Sequence, residues 1–286
     1  MSLREALRGG IKTLREASVP SPELAAELLL MHVLGCDRTS LHSHSEREVP
    51  AETVALYFRL IDERLTGKPT QYIIGHQEFW GLDFEVTPDV LIPRPETECL
   101  VEAVLDWMKS ESVAARGVDV GTGSGCIALA LASELPSLAL DAVDISSAAL
   151  GVAARNARRL GLEARVRFRQ SDLLAVFLEE SAQPVFDFVV SNPPYVGRDE
   201  LDWVQREVKE FEPRAAWGGL ENPDELYRRL FSQANCLLRQ GGLVAVEIGW
   251  LLKDRVTGLL GEGWTAVEVR QDLSGIPRVV TARRAA

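Results

Sequence analysis

The sequence predicts an α/β protein whose mostly parallel sheet is covered by helices on both faces and is preceded by a small helical domain. In the last two thirds of the chain, short apolar segments alternate with helical segments, as expected for parallel strands joined by helices. The first third contains helix signals, and a short stretch with period-two alternation separates the two parts. We therefore predict a helical N-terminal domain at residues 1–75, a β-hairpin linker at 76–90 and a sheet domain at 91–286.

The helical part has recognisable helix starts and stops. Residues 1–17 alternate charged and apolar side chains, which predicts an amphipathic helix and not the apolar core of a signal peptide. Ser21 followed by Pro22 predicts a capped helix start, and Gly35 predicts a left-handed stop after the apolar run 24–34. A further helix is expected over residues 51–66, ending before Gly67.

The hairpin and the sheet follow in order. Residues 77–86 alternate about Gly81, which predicts two short strands joined by a turn. Parallel strands are then expected at 117–120, 138–143, 165–169, 186–190 and 243–248, with helices at 127–135, 148–160 and 224–238. Residues 265–269 and 279–283 predict an antiparallel pair at the edge of the sheet.

Charge and composition exclude several classes of protein. The net charge is −11, and the first eighty residues contain nine Lys or Arg against eleven Asp or Glu, so no basic arm is available to neutralise phosphates. The four cysteines lack C-x-x-C spacing, so we expect neither disulfides nor a metal site. The longest apolar runs fall short of the ~20 residues that span a bilayer. We expect a cytoplasmic monomer that binds neither nucleic acid nor membranes directly.

A glycine-rich turn follows the first strand of the sheet and opens a helix. Its G-x-G-x-G spacing differs from the dinucleotide fingerprint and favours the methionyl-adenosyl ligand of methyltransferases. Asp144 ends the second strand at the distance expected for a ribose-binding acid. Asp172 and Leu173, after the third strand, are predicted to bracket the adenine. The predicted cofactor-binding residues of the turn are Gly121, Thr122, Gly123, Ser124 and Gly125.

A second turn, Asn192-Pro193-Pro194-Tyr195, follows the fourth strand and faces the same crevice. Its two prolines lack N–H donors, so the turn presents acceptors. The side-chain oxygen of Asn192 and the carbonyl of Pro193 can accept both N–H bonds of a planar NH₂ group, while Tyr195 packs on its face.

This turn suits methyl transfer to an amide nitrogen. The lone pair of an amide is delocalised, so acceptors that hold both hydrogens orient it and stabilise the positive charge that develops on nitrogen. The nitrogen becomes acidic only after alkylation, and no histidine is therefore assigned as a base. We predict Asn192, Pro193 and Tyr195 as catalytic residues, Asn192, Pro193, Pro194 and Tyr195 as substrate-binding residues, and Asn192 also as a cofactor contact.

With these motifs, the chain resembles the HemK/PrmC family of peptide chain release factor N5-glutamine methyltransferases over nearly its whole length. The most discriminating segment is residues 91–98, Leu-Ile-Pro-Arg-Pro-Glu-Thr-Glu, because Asn-Pro-Pro-Tyr is shared with adenine-N6 DNA methyltransferases. Further matching segments are Gly67-Lys68-Pro69 with Tyr72 and Gly75, Phe79 with Gly81, and Phe211-Glu212-Pro213-Arg214.

The resemblance implies a seven-stranded Rossmann-like methyltransferase domain with S-adenosylmethionine as its cofactor. It also implies that the helical domain helps to bind a release factor, whose Gly-Gly-Gln glutamine is methylated. Three alternatives stay open: a ribosomal-protein glutamine methyltransferase, an adenine-N6 DNA methyltransferase, and a cofactor-binding assembly factor without transfer activity. The acidic N-terminal domain argues against the DNA enzyme.

Overall fold

The computed structural model describes residues 1–111, 116–180 and 183–286. Its contacts divide the chain into two compact units. The first comprises Met1–His76 with Gln205–Phe211, and the second comprises Gln77–Val204 with Glu212–Ala286. The predicted boundaries at residues 75 and 90 stay a prediction, because contacts within a unit do not show which segments fold alone.

The helices and strands follow in chain order. The α-helices are α1 (Leu3–Glu16), α2 (Pro22–Leu34), α3 (Arg38–Ser43), α4 (Ala51–Leu65), α5 (Thr70–Ile74), α6 (Glu98–Glu111), α7 (Cys126–Glu134), α8 (Ser147–Arg159), α9 (Ala175–Glu180), α10 (Arg206–Phe211), α11 (Arg214–Trp217), α12 (Pro223–Leu237) and α13 (Lys253–Gly258). The strands are β1 (His76–Phe79), β2 (Leu82–Glu85), β3 (Arg116–Val120), β4 (Ala139–Asp144), β5 (Val166–Gln170), β6 (Phe186–Ser191), β7 (Val196–Gly197), β8 (Gly218–Leu220), β9 (Leu238–Glu247), β10 (Trp264–Gln271) and β11 (Pro277–Arg284). Short 3₁₀ helices lie at Pro95–Thr97 and Arg198–Trp203.

The first unit is built from α1 to α5 and α10. Gly35 ends α2 in the left-handed conformation, as predicted. The capping role predicted for Ser21 is wrong: its φ of 48° is left-handed, and its side chain forms no capping hydrogen bond. Capping requires an extended backbone that brings the side-chain oxygen to the free amides of the first turn, so Pro22 alone starts the helix.

Arg64 of α4 is almost fully buried in this unit and forms an ion pair with Glu207 of α10. The guanidinium also donates to the carbonyl of Lys68 at 3.3 Å. A buried guanidinium needs such partners, because its uncompensated charge is costly in a protein interior. This ion pair therefore holds the separate segment Gln205–Phe211 within the first unit.

The second unit contains the predicted seven-stranded, mostly parallel sheet, in the order β10-β11-β9-β6-β3-β4-β5. The five strands from β9 to β5 are parallel, and β11 pairs antiparallel with both β9 and β10. The predicted antiparallel edge pair is thus confirmed. The buried residues of α7 and α12 pack against strands of the sheet and belong to two separate apolar clusters, one for each helix. This arrangement brings the carboxyl ends of β3, β4, β6 and β9 to one edge.

The predicted hairpin is present as β1 and β2. Trp80 and Gly81 both have positive φ values, 56° and 69°, as a two-residue hairpin turn requires. Phe79 and Phe84 are buried edge to face with ring centroids 6.2 Å apart, in the same apolar cluster as α6 and α7. The hairpin is therefore part of the core of the second unit.

Candidate active site

The two predicted turns leave neighbouring strands at the same level of the sheet. Val120, the last residue of β3, pairs in register with Ser191, the last residue of β6. The buried hydroxyl of Ser191 donates a 2.7 Å hydrogen bond to the carbonyl oxygen of Val120. Because both strands run in the same direction, Gly121 and Asn192 begin their turns side by side.

The first turn, residues 121–125, is named here the Gly loop. Its three glycines have φ values of 73°, 55° and 83°, a region that side chains with a Cβ rarely adopt. A Cβ at Gly125 would lie 3.2 Å from the Cβ of Ala153, so this glycine allows α7 to approach α8. A Cβ at Gly121 or Gly123 would meet nothing within 4 Å. These two positions therefore leave space for a ligand against the backbone.

Asp144 lies at the end of β4, beside the Gly loop. One carboxylate oxygen accepts a 2.9 Å hydrogen bond from the amide of Gly123, and the other accepts one of the same length from the amide of Ser146. Burial raises the pKa of Asp144, against the lowering effect of these backbone hydrogen bonds. The two carboxylate oxygens together offer about four acceptor sites, more than the backbone amides of Gly123, Ile145 and Ser146 can use. This carboxylate can therefore both shape the loop and accept a hydrogen bond from a ribose.

The floor of the loop contains polar atoms that the protein itself does not satisfy. The hydroxyl of Thr122 donates a 2.6 Å hydrogen bond to Asp119, whose complete burial raises its pKa to about 7. Within the described residues, Asp119 Oδ1 and Ser124 Oγ are buried without hydrogen-bond partners. Such atoms are costly unless a polar ligand or water reaches them. The carboxylates of Asp119 and Asp144 also favour a positively charged ligand, which suits a sulfonium.

Asp172 and Leu173 lie just beyond β5, where the adenine was predicted. The exposed carboxylate of Asp172 pairs with Arg229 at 2.6 Å, so part of its acceptor capacity is engaged by the protein. Leu173 has a φ of 52°, which is unusual for a branched side chain, and packs against the apolar cluster beside α12. The adenine-binding role of this pair stays a prediction.

Asn192 is joined to two residues that were not assigned a role from the sequence. Its Nδ2 donates to Thr97 Oγ1 at 3.2 Å, and the hydroxyl of Thr97 donates to Glu247 Oε2 at 2.6 Å. Because Nδ2 is the atom directed to Thr97, Oδ1 is the end of the amide that can accept a hydrogen bond from a ligand. Burial, the largest effect, raises the pKa of Glu247 to about 7, whereas the hydrogen bond from Thr97 lowers it.

Tyr195 completes the second turn. Its ring packs against the apolar cluster formed by β9 and α12, and burial raises the pKa of its hydroxyl well above the usual range. The hydroxyl therefore stays protonated across the physiological range, and the ring offers a neutral apolar face. The prolines at 193 and 194 fix the chain between this ring and Asn192.

The segment that carries Thr97 is held by a buried carboxylate. Glu212 accepts a 3.2 Å hydrogen bond from the amide of Ile92 and forms a 2.6 Å ion pair with Arg94. Two motifs of the sequence, at 91–98 and 211–214, are thus joined by direct contact. These contacts hold the segment that leads into the 3₁₀ helix Pro95–Thr97, and so they help to fix the position of Thr97.

Sequence reasoning missed the roles of Ser191, Asp119, Thr97 and Glu247. Three of them could have been found, because each is a polar residue at or near the carboxyl end of an otherwise apolar parallel strand. Such a position is where ligands bind in a sheet of this type. Thr97 carries no comparable signal.

No group of three or more His, Cys, Asp or Glu that could hold a metal ion occurs in the described ranges, and no helix there is long and apolar enough to cross a membrane.

Comparison with known proteins gives matches to both parts of the chain. Residues 5–75 match the PrmC N-terminal domain, and residues 97–212 match the methyltransferase small domain. The chain is 50% identical over 284 residues to a release factor glutamine methyltransferase of Koribacter versatilis, covering 99% of each chain. It is 38% identical over 286 residues to one of Nitratidesulfovibrio vulgaris, covering 99% of this chain and 95% of the relative.

Among solved structures, the chain is similar to the N-terminal domain of human METTL16 in complex with SAH. The match has a TM-score of 0.50 and 19% identity, and covers 71% of this chain and 76% of the other. At this identity the similarity concerns the fold alone. It agrees with the seven-stranded sheet described above.

Proposed function

This chain belongs to the family of release factor glutamine methyltransferases, and we propose that its Gly loop and its Asn-Pro-Pro-Tyr turn together form the transfer site. The enzyme transfers a methyl group to the side-chain amide nitrogen, N5, of the glutamine in the Gly-Gly-Gln motif of peptide chain release factors. The observation that carries this proposal is the register of Val120 with Ser191, because it sets the cofactor loop beside the substrate turn.

S-adenosylmethionine, when bound, supplies a methyl group on a positively charged sulfur that is a good leaving group. The residues that would hold it are Gly121, Thr122, Gly123, Ser124, Gly125, Asp144, Asp172, Leu173 and Asn192. In this assignment Asp144 accepts hydrogen bonds from the ribose, and the amino-acid part of the ligand lies against the backbone of the Gly loop at Gly121 and Gly123, where no Cβ occupies the space. The unpartnered atoms of Asp119 and Ser124 support this placement.

The substrate amide is held by the second turn. Asn192 Oδ1 and the carbonyl oxygen of Pro193 accept the two N–H bonds, while Pro194 and Tyr195 shape the slot around the planar group. These acceptors restrict rotation of the amide and stabilise positive charge on nitrogen as the new N–C bond forms. Transfer leaves the nitrogen positively charged, with the new methyl group and both hydrogens. This N-protonated amide is strongly acidic and loses one proton to water, so no residue needs to act as a base.

Recognition of the whole release factor is assigned to the first unit. This unit includes the segment that matches the PrmC N-terminal domain, and the cofactor and substrate motifs all lie outside it. A short Gly-Gly-Gln peptide should therefore be methylated with a much higher KM than the intact release factor. A peptide with the same KM as the intact factor would contradict this assignment.

The substrate class is tested by incubating the full-length enzyme with radiolabelled S-adenosylmethionine and one candidate substrate at a time. We expect label in an intact release factor and none in the same factor with its Gly-Gly-Gln glutamine replaced by alanine. A ribosomal protein and duplex DNA are the two comparison substrates. Label in either of these, together with none in the release factor, would overturn the proposed function.

A further inference from the structure

Glu247 is an unusual acid for the interior of a sheet protein. It is the last residue of β9, its exposed fraction is 2%, and within the described residues it forms no ion pair. A buried carboxylate without an ion pair is costly unless hydrogen bonds compensate for its lost hydration. Its side-chain partner is the hydroxyl of Thr97, at 2.6 Å. This cost indicates a role beyond packing.

The hydrogen bonds around Thr97 have a fixed direction. A threonine hydroxyl has one hydrogen, and here that hydrogen is directed to Glu247 Oε2. Since an ionised carboxylate can only accept, the oxygen of Thr97 can only accept from its other neighbour. That neighbour is Asn192, which must therefore turn its NH₂ group, and not its carbonyl oxygen, toward Thr97.

This direction decides what Asn192 presents to a substrate. The two ends of an asparagine amide have nearly the same shape but opposite hydrogen-bonding character. With Nδ2 engaged by Thr97, Oδ1 points away from it as an acceptor. If the amide were reversed, an NH₂ group would face the NH₂ group of the substrate, and one of the two acceptors required for transfer would be lost.

We propose that Thr97 and Glu247 are positioning residues that hold Asn192 with its amide oxygen toward the substrate nitrogen. Glu247 sets the direction of the two hydrogen bonds, and Thr97 transmits that direction to Asn192. The inference rests on the proposed function, because an oriented acceptor is needed only if the substrate group carries N–H donors. Neither residue contacts the substrate, so their effects should pass through Asn192.

Three substitutions separate this role from packing. Thr97→Val keeps the shape but removes the hydroxyl, and we expect the single-turnover rate to fall roughly tenfold or more, as for a misplaced catalytic group. Thr97→Ser keeps the hydroxyl and should recover most of the rate. Glu247→Gln keeps the shape but can donate as well as accept, so both directions become possible. Its rate should fall by a smaller factor than that of Thr97→Val, roughly fivefold to tenfold, because part of the population keeps the productive orientation.

The decisive measurement repeats Thr97→Val and Glu247→Gln in an Asn192→Ala background. If the two residues act through Asn192, each should lower the single-turnover rate of Asn192→Ala by less than about twofold, because the effects of residues that act as one unit are not additive. A full additional loss in that background, or a wild-type rate for Thr97→Val, would overturn the inference. Should Thr97→Val fail to fold, Glu247→Gln decides the question by the same comparison.

A second readout does not depend on turnover. The side-chain ¹⁵N–¹H₂ signals of Asn192, identified by their loss in Asn192→Ala, should shift in Thr97→Val and Glu247→Gln without cofactor or substrate present. Unshifted signals would contradict the inference. Thr281→Val is the matched control, because Thr281 is also buried in the sheet and is 6% exposed, and it should keep the wild-type rate and signals.

The outcomes also separate this inference from the proposed function. If the wild-type enzyme labels no release factor, the proposed function fails, and the Asn192 signals still report on the hydrogen-bond chain. If the wild-type enzyme is active but the Thr97 and Glu247 variants behave like it, only the positioning role is wrong.

Discussion

The ring of Tyr195 lies so close to Gly249 that a Cβ atom added at Gly249 would sit 3.1 Å from ring carbon Cδ2. Gly249 follows β9 and has no left-handed φ, so an alanine there would add a contact without backbone strain. The ring would have to move by a few tenths of an ångström, because the surrounding core is closely packed. We therefore expect Gly249→Ala to lower the methylation rate several-fold and to leave cofactor affinity unchanged.

Gly151→Ala is the control for this substitution. Gly151 lies in α8, where the nearest atom to an added Cβ is Arg155 Nη1 at 3.7 Å. An alanine in a helix is more favourable than glycine by about 0.5–1 kcal/mol, so this variant should be at least as stable and equally active. A wild-type single-turnover rate for Gly249→Ala would show that the ring position of Tyr195 does not affect transfer.

Asn192 should act mainly on the transition state. Asn192→Ala removes one preorganised acceptor, and we expect a loss of ~10²-fold or more in single-turnover rate with a much smaller change in cofactor affinity. Asn192→Asp keeps an acceptor but adds a negative charge near the sulfonium, which should tighten cofactor binding without restoring the rate. A wild-type rate for Asn192→Ala would show that the Asn-Pro-Pro-Tyr turn is only structural.

Asp144 should act on cofactor binding. Asp144→Ala removes the acceptor of the Gly123 amide together with the proposed ribose contact, and we expect cofactor affinity to weaken by about one to a few kcal/mol. Calorimetric titration with S-adenosylmethionine measures this directly. Asp106→Ala is the control and should bind the cofactor with wild-type affinity, because its carboxylate is exposed, pairs with Arg270 and lies outside the proposed cofactor site. Unchanged affinity in a folded Asp144→Ala variant would remove its proposed role.

Transfer should also depend on pH through Glu247. Above about pH 7 the carboxylate is ionised and can only accept a hydrogen bond from Thr97. Below this value the protonated group can donate to Thr97, and the direction of the hydrogen bonds from Glu247 to Asn192 is lost. The rate at saturating cofactor should therefore rise with pH through about 7 in the wild type and lose this dependence in Glu247→Gln. Saturating cofactor is needed because the pKa of Asp119, below the Gly loop, is also raised to about 7.

The other groups near Glu247 do not produce the same titration. Burial raises the pKa values of the nearby thiols and phenols above their ordinary values of 9 to 10, so these groups stay neutral between pH 6 and 8. The charged or titratable side chains around Glu247 are Arg94, Glu96, Cys99, Cys126, Tyr195, Tyr227 and Arg278. An identical pH profile in Glu247→Gln would assign the titration to another group.

The strands and the two turns could be predicted because their signals are local. Apolar runs followed by Gly or Asn-Pro-Pro identify strand ends within a few residues, and parallel pairing then brings those ends to one edge. The link between Thr97 and Glu247 spans 150 positions and has no local signal, since threonine is common at the start of helices. The prediction that Ser21 caps α2 failed although its local signal was clear. Serine before proline is typical of a helix start, but the left-handed backbone at Ser21 prevents its side chain from capping the helix.

The ion pair between Arg64 and Glu207 has a consequence for folding during synthesis. Its partners are separated by 143 positions, so Arg64 leaves the ribosome long before Glu207 is made. Until Glu207 is made, helices α1 to α5 can pack together only if the guanidinium of Arg64 stays hydrated or is buried without its carboxylate partner. The first unit also lacks the contacts of Gln205–Phe211 during this time. The buried guanidinium of Arg64 therefore gains its carboxylate partner only after most of the chain, including β6 and the turn that follows it, has been translated.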